Sequence, residues 1–217
     1  MAQLKSTTTA NQKTENNKLS TFKVFGTRPK NLIFLPEISF GVRNDCRMGR
    51  WKLGDSDYKG DKIEISILKV FQYFGDLGKT KNAFWLQIWF VPSPSCKDIP
   101  QGTVCVTYLK KRNISQFSQK ITQLMESVEP ALGIFIGSFV SHKGDKGEYF
   151  SVVWDWRERA DEAEFKQLDQ IVDFLATEPK LIDLSVNLMP VDGLSTEEIQ
   201  SLIAGKSEQL NSQLTIK

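Results

Sequence analysis

Two segments in the middle of the chain alternate apolar and polar residues. At the start of the segment Ile63–Phe74, Ile63, Ile65 and Ile67 are separated by polar residues, and the segment Thr103–Lys110 repeats the alternation. A period of two is the pattern of a strand with one buried face. Both segments are therefore predicted to be β-strands, the first of them long.

Three further apolar runs predict more strands. The segment Phe84–Val91 is apolar on both of its faces, as in a strand that is covered on both sides. The runs Leu132–Val140 and Glu148–Trp156 flank Ser141–Gly147, whose glycines and aspartate favour a hairpin turn. Gly75–Asn82 is rich in glycine and lysine and predicts a loop between the first two strands.

A helical period separates the third strand from the fourth. Asn113 and Gln116 form a pair that resembles a capping box, so a helix is expected to begin there. One apolar stripe follows at helical spacing: Phe117, Ile121, Leu124 and Val128.

Two more helices are predicted in the C-terminal third. Asp161 with Glu164 caps a helix over Glu162–Ala176, and Ser195 with Glu198 caps a last helix that ends near Ala204. The stripe expected to face the core of the first of these helices is Phe165, Leu168, Ile171, Val172 and Leu175. The segment Leu181–Val191 between them is predicted to be a short strand or extended.

Three strands, a helix and two strands resemble the element order of an OB-type barrel, a fold that holds oligonucleotides and oligosaccharides. The prediction is an α+β protein with an antiparallel β-barrel or sheet core of this β-β-β-α-β-β order and additional C-terminal helices. A sandwich or another mixed sheet with the same order remains open.

The expected organisation has four parts along the chain. Residues 1–20 form a disordered polar tail, 21–157 a β-rich core with an N-terminal extension, 158–206 an acidic helical appendage on that core, and 207–217 a polar tail. In the extension, Leu32–Phe40 predicts a strand interrupted by a proline, and Gly41–Gly60 predicts a long loop or an irregular hairpin.

Charge is distributed unevenly although the net charge is only +2. Met1–Gly147 contains 22 Lys and Arg against 12 Asp and Glu, whereas Glu148–Lys217 contains 6 against 14. This asymmetry suggests a basic ligand-binding body with an acidic appendage, although acidic helices on a solvated surface would produce the same pattern. No stretch predicts a membrane span or a signal peptide, and three cysteines without a CxxC motif suggest reduced thiols in a cytoplasmic protein.

No motif for catalysis or metal binding is complete. Gly75–Thr80 resembles the end of a phosphate-binding loop, but Tyr73 occupies the position of its first glycine and a strand follows. A calcium-like loop beginning at Asp55 has Ser66 where a bidentate Glu is required, and His142 is the only histidine. We therefore expect no enzyme activity, no metal and no cofactor.

The predicted interface combines cations on loops with aromatic residues on strands. Cations follow a phosphate backbone, and rings offer stacking surfaces to bases of any sequence. The predicted nucleic-acid-binding residues are Lys79, Lys81, Trp85, Trp89, Tyr108, Lys110, Lys111, Arg112, Lys143 and Lys146. A secondary basic patch comprises Arg43, Arg47, Arg50, Trp51 and Lys52.

Two functions are compatible with these features. The first is a non-catalytic protein that binds single-stranded nucleic acid without sequence preference, in replication, recombination or a mobile element. The alternative is an assembly subunit that self-associates through its basic body and its acidic helices 161–176 and 196–204. If Trp85 and Trp89 lie beneath a layer of C-terminal helices, they offer no stacking surface and the first function loses its main support.

Overall fold

A computed structural model describes residues 33–36, 38, 40–54, 57–145, 147–177, 181 and 188–204. These residues belong to one compact unit that begins at Ile33. The predicted polar tails, 1–20 and 207–217, lie outside the described residues. The strands are β1 Phe40–Asp45, β2 Arg50–Leu53, β3 Asp57–Tyr58, β4 Ile63–Leu77, β5 Thr80–Pro92, β6 Cys105–Lys110, β7 Ile134–Gly144, β8 Gly147–Arg157 and β9 Leu188–Pro190. The helices are α1 Arg112–Met125, α2 Glu162–Thr177 and α3, residues 196–204, with a 3₁₀ turn at Pro130–Leu132.

The nine strands form one open sheet in the order β3-β2-β1-β6-β5-β4-β7-β8, with β9 paired to β4. The α+β class is confirmed, but the barrel alternative is wrong because no ladder joins the two ends of this sheet among the described residues. The ends do approach each other. The Phe150 amide donates to the Cys46 carbonyl at 2.8 Å, and the Trp51 indole donates to the Gly137 carbonyl at 3.0 Å.

The long hairpin of β4 and β5 replaces most of the predicted loop 75–82. Only Gly78 and Lys79 form the turn between Leu77 and Thr80. Gly78 has φ +56°, which suits glycine in a tight turn. Ring contact across the hairpin between Phe74 and Phe84, 5.0 Å between centroids, extends the pairing into a segment whose composition suggested a loop.

The two faces of the sheet carry separate apolar cores. Ile65 of β4, together with Ile88 and Phe90 of β5, lies on what we call the inner face, against Trp51 and α1. Trp89 lies on the opposite, outer face. Side chains alternate between faces along a strand, so β5 is buried on both sides over its second half.

Helix α1 begins one residue earlier than predicted and is not capped by Asn113. The cap position is Lys111, whose side chain makes no cap hydrogen bond, and Asn113 is buried inside the first turn. There the Asn113 side chain accepts a hydrogen bond from the Val152 amide at 3.1 Å. Asn113 therefore joins α1 to β8, while Phe117 reaches the inner core as expected.

Helix α2 has the predicted bounds to within one residue but a different rotation. Its buried residues are Glu164, Gln167, Ile171 and Phe174, whereas Phe165 and Val172 of the predicted stripe are exposed. An ionic network causes the rotation. The Glu164 carboxylate binds the Arg157 guanidinium through two hydrogen bonds of 2.6 and 2.9 Å. Buried Arg159 donates to the Glu164 carbonyl at 2.8 Å, which holds this side of the helix toward the sheet.

The predicted capping pairs of the C-terminal helices are confirmed. The Glu164 amide donates to the Asp161 carboxylate at 2.9 Å. At α3, the Glu198 amide donates to the Ser195 hydroxyl at 3.3 Å, and the Ser195 amide donates to the Glu198 carboxylate at 2.7 Å. Of the predicted segment 181–191, Leu181 is buried and Leu188–Pro190 forms β9, while 182–187 lies outside the described residues.

The N-terminal extension contributes three strands to the sheet. Phe34 makes an isolated parallel bridge to Thr103, and β1 then pairs in parallel with β6. For the segment Gly41–Gly60 the sequence left a long loop and an irregular hairpin open, and the structure has the hairpin. It is formed by β1 and β2, and β3 pairs with the other edge of β2.

Candidate nucleic-acid interface

The two tryptophans predicted to stack bases are buried. Trp89 is 0% exposed and packs in the outer core with Ile171 and Phe174 of α2. Trp85 is 5% exposed, and its indole donates to the Gly75 carbonyl at 3.1 Å. The expectation that these indoles present open faces is wrong, and the alternative of a covering helical layer is confirmed for Trp89. The apolar residues on both sides of β5 indicated burial but did not identify the cover.

The predicted loop cations lie on two different hairpins. Lys79 and Lys81 are exposed at the tip of the β4–β5 hairpin, where the Lys81 ammonium lies 3.1 Å from the Asp76 carboxylate. Lys143 is exposed near the end of β7, and Lys146 lies outside the described residues. The two hairpins are neighbours in the strand order, but β4 and β7 are antiparallel and pair only through Ile63–Ile65, so the two hairpin tips lie at opposite ends of the sheet.

The basic run at the end of β6 divides among three structural positions. Lys110 is the last residue of β6, Lys111 precedes α1 with φ 50°, and Arg112 begins the helix. All three side chains are exposed. The Lys110 ammonium lies 2.7 Å from the Thr80 hydroxyl and 5.4 Å from the Trp85 ring centroid, so it reaches the β4–β5 hairpin beside its tip.

The aromatic residue of the predicted secondary basic patch, Trp51, is not on the surface. Trp51 is fully buried in the inner core, 6.0 Å from the Trp154 ring, so its assignment to a surface patch is wrong. Arg47 and Arg50 are exposed at the β1–β2 turn. Arg43 and Lys52 are direct cross-strand neighbours on the outer face.

A row of basic, aromatic and amide side chains crosses the outer face. Cross-strand partners share a face of the sheet. Lys52 is paired with Tyr58 and with Arg43, Gln87 is paired with Tyr108, and Phe71 is paired with Gln87. Gly41 of β1 is the parallel partner of Val106 of β6, whose side chain lies on the outer face. Residues two apart on a strand share a face, so Arg43 and Tyr108 lie on the outer face as well. We call Tyr58, Lys52, Arg43, Tyr108, Gln87 and Phe71 the outer row.

Three lysines of this face lie over aromatic rings. The distance from the ammonium to the ring centroid is 5.1 Å for Lys52 over Tyr58, 4.3 Å for Lys69 over Phe71 and 5.4 Å for Lys110 over Trp85. These are cation–π distances. The outer face therefore carries three separate lysine–ring contacts, which make it both basic and aromatic.

Hydrogen bonds hold the two tyrosine rings of the outer row in place. The Gln87 amide donates to the Tyr108 hydroxyl at 2.6 Å, and the Trp89 indole donates to the Gln87 side-chain oxygen at 2.8 Å. The Tyr58 hydroxyl donates to the Asp45 carboxylate at 3.0 Å. Ring positions that are fixed before a ligand arrives cost little side-chain entropy on binding.

Asp45 is the acidic residue at the end of this surface. Partial burial acts to raise the pKa of its carboxyl, but hydrogen bonds from the amides of Arg47 and Met48 and from the Tyr58 hydroxyl lower the pKa overall. The carboxylate therefore stays charged, and its hydrogen bonds stabilise the β1–β2 turn and fix the position of Tyr58.

Four aromatic and basic members of this surface were missed in the sequence: Tyr58, Lys69, Phe71 and Tyr73. The period-two pattern contains a signal for three of them, because Lys69, Phe71 and Tyr73 share one face of β4. For Tyr58 no signal exists before the β2–β3 pairing is known.

Metal and membrane features are absent from the part of the chain that the structure describes. No group of three or more His, Cys, Asp or Glu side chains there could hold a metal ion. None of the described helices has the length and apolar character needed to cross a membrane.

Comparison of the chain with protein-family models, with curated proteins and with solved structures found no match.

Proposed function

We propose that this protein is a non-catalytic module that binds single-stranded nucleic acid across the outer face of its sheet, without sequence preference. The observation that carries the proposal is the coincidence of three cation–ring pairs on one face. Trp85 and Trp89 serve as buried support. The stacking rings are the exposed Tyr58 and the half-buried Phe71, Tyr73 and Tyr108, of which Phe71 and Tyr108 also pack against the outer core.

The mechanism combines two known sources of affinity. Each phosphate neutralised by a lysine or arginine releases counterions, and each base stacked on an aromatic ring contributes about 1–3 kcal/mol. In the outer row, Lys52 and Arg43 stand between the rings of Tyr58 and Tyr108. A strand that stacks on both tyrosines would carry its phosphates past both cations. At about 4.8 Å between neighbouring strands, the row from β3 to β4 spans roughly 24 Å.

The shape of the surface favours a single strand over a duplex. Reading a duplex requires a helix or a two-stranded ribbon that enters a groove, whereas the outer row lies on the face of a sheet. Rings in such a face can stack only on bases that are unpaired and turned outward.

A relationship to the OB fold is part of the proposal. The segment from β4 to β8 with α1 has the expected element order, and β4 is shared between β5 and β7. The three thiols are free, which suits a reducing, cytoplasmic location for a protein of replication, recombination or a mobile element.

Fluorescence anisotropy of a labelled mixed-sequence single-stranded 30-mer tests this function. Tyr58→Ala is expected to weaken binding roughly 5- to 150-fold, the equivalent of one lost stacking contact. The matched control is Phe84→Ala, because Phe84 is 38% exposed against 40% for Tyr58 and lies on the opposite face of the sheet. Equal losses in both variants would contradict the assignment of the face.

The salt dependence of the same titration tests the cations. Lys52→Gln should weaken binding to every sequence and reduce the slope of log K against log salt by about 0.7, the value for one phosphate of a single strand. Lys97→Gln, an exposed lysine in the loop after β5, should leave the slope unchanged. No binding of the wild-type protein at low salt would overturn the function itself.

A further inference from the structure

The rotation of α2 leaves an apolar flank beside a row of acids. Phe165 is 53% exposed and Val172, two turns further along, is 61% exposed. Glu162, Asp169 and Asp173 are exposed along the adjacent line of the helix, with one exposed lysine, Lys166, beside them. Residues four and seven apart lie above one another on a helix, so these are two parallel stripes. We call the five residues of these stripes the acidic shelf.

A rotation of α2 about its axis cannot bury the exposed apolar residues of the shelf without a cost. Glu164 and Gln167 are buried on the sheet side, where Gln167 donates to the Pro92 carbonyl at 2.8 Å and Glu164 binds Arg157. Turning Phe165 and Val172 inward would pull these polar groups away from their partners, at the cost of leaving buried groups unsatisfied. The exposed apolar flank is therefore a fixed feature of the fold.

The β1–β2 turn has the complementary composition. Met48 is 57% exposed between Arg47 and Arg50, both of which are exposed. The turn is held from two sides, by the Asp45 carboxylate, which accepts from the Arg47 amide at 3.0 Å, and by Gly49, which packs directly on the Phe150 ring. We call Arg47, Met48 and Arg50 the basic tip.

From this complementarity we infer that the protein self-associates head to tail, the basic tip of one copy docking on the acidic shelf of the next. Met48 would lie on Phe165 and Val172, and the two arginines would face the acidic row. Within one chain the tip contacts β8 through Gly49 and Phe150, whereas α2 packs on Trp89 of β5, and no ion pair joins the two patches among the described residues.

The predicted contact is heterologous, and its repetition produces a ring or an open array rather than a two-fold symmetric dimer. It uses Arg47 and Arg50, which we therefore assign to the contact between copies rather than to nucleic acid. The contact needs no nucleic acid. It is independent of the proposed function, although an array of this kind would make binding along a strand cooperative, as is usual for single-strand-binding proteins.

Charge reversal with mixing tests the inference in the absence of nucleic acid. Sedimentation velocity of the nuclease-treated full chain over a concentration series should show association of the wild-type protein that grows with concentration. Asp169→Lys with Asp173→Lys, and separately Arg47→Glu with Arg50→Glu, should each weaken association at least tenfold. The controls are Glu126→Lys and Lys97→Glu, reversals of exposed charges on other elements, which should behave as the wild type.

Mixing the two double variants in equal amounts gives the decisive result. In the shelf variant the tip and the shelf are both basic, and in the tip variant both are acidic, so neither variant should associate alone. In the mixture the tip of each variant can dock on the oppositely charged shelf of the other, so association should return. A monomeric wild type at all concentrations would overturn the inference, as would double variants that associate like the wild type or a mixture that remains monomeric. In each of those outcomes the oligonucleotide titrations above still decide the proposed function separately.

Discussion

The ionic anchor of α2 predicts a measurable change in stability. In Glu164→Gln the side chain keeps its shape but loses its charge. The Gln amide has a single acceptor oxygen, so of the two hydrogen bonds of 2.6 and 2.9 Å that the Arg157 guanidinium donates, only one can remain, and its acceptor is then uncharged. A charge-assisted bond contributes about 1.5–3 kcal/mol and a neutral one about 0.5–1.5 kcal/mol. We expect the free energy of unfolding to fall by about 2–3 kcal/mol, because Arg157 retains its 2.8 Å contact with Glu64.

The pH dependence of this loss has a definite sign. The hydrogen bonds from Arg157 hold the pKa of Glu164 below its ordinary value of 4.5. A carboxyl with a lowered folded-state pKa stabilises the fold above its unfolded pKa, and that contribution disappears as the pH falls through the folded pKa. The difference between wild type and Glu164→Gln should therefore shrink as the pH falls below 4.5.

Urea unfolding followed by circular dichroism at pH 7 and pH 3.5 measures both effects. The control is Glu162→Gln, an exposed carboxylate in the same first turn, which should cost about 0.5 kcal/mol or less. A loss below about 1 kcal/mol at pH 7 would refute the reasoning. A loss of the same size at both pH values would show that the charge of Glu164 is not its source.

Three further predictions concern the two cores. Trp89→Ala should lower the free energy of unfolding by about 3–5 kcal/mol, because the indole is fully buried, and a loss under 1 kcal/mol in urea unfolding would contradict its burial. Gly137→Ala should cost about 1–3 kcal/mol in the same assay, since the new Cβ would lie 2.8 Å from the Trp51 ring, whereas a stable variant would place that ring elsewhere. Burial raises the pKa of the Cys105 thiol to about 12, so Cys105 should react with a thiol reagent at pH 8 only in denaturant, and rapid labelling of the native protein would disprove this.

Local patterns in the sequence were enough to predict the principal strands of the sheet and both capped C-terminal helices. Some features depend only on residues that are neighbours along the chain, such as the alternation in Ile63–Phe74 and the capping pair of Ser195 and Glu198. The structure contains both of them. The bounds of the β4–β5 hairpin depend instead on the cross-strand contact of Phe74 with Phe84, which composition does not show.

The errors about the site arose from long-range contacts. Trp85 and Trp89 have the composition expected of a stacking surface, but α2, more than seventy residues later in the chain, covers Trp89. The rotation of α2 in turn depends on Arg157 and Arg159, which pair with Glu164 across the end of β8. Apolar periodicity alone could not reveal it, because a buried carboxylate took the place of a leucine or a phenylalanine in the buried stripe.

Photo-crosslinking tests the central claim, the location of the binding face, most directly. A single-stranded oligonucleotide carrying 5-iodouracil would be bound, irradiated and mapped on the protein by mass spectrometry. We predict crosslinks at Tyr58, Phe71, Tyr73 and Tyr108, the aromatic residues of the outer face that are exposed or half-buried. Crosslinks confined to α1 or to the β7–β8 hairpin would contradict the account.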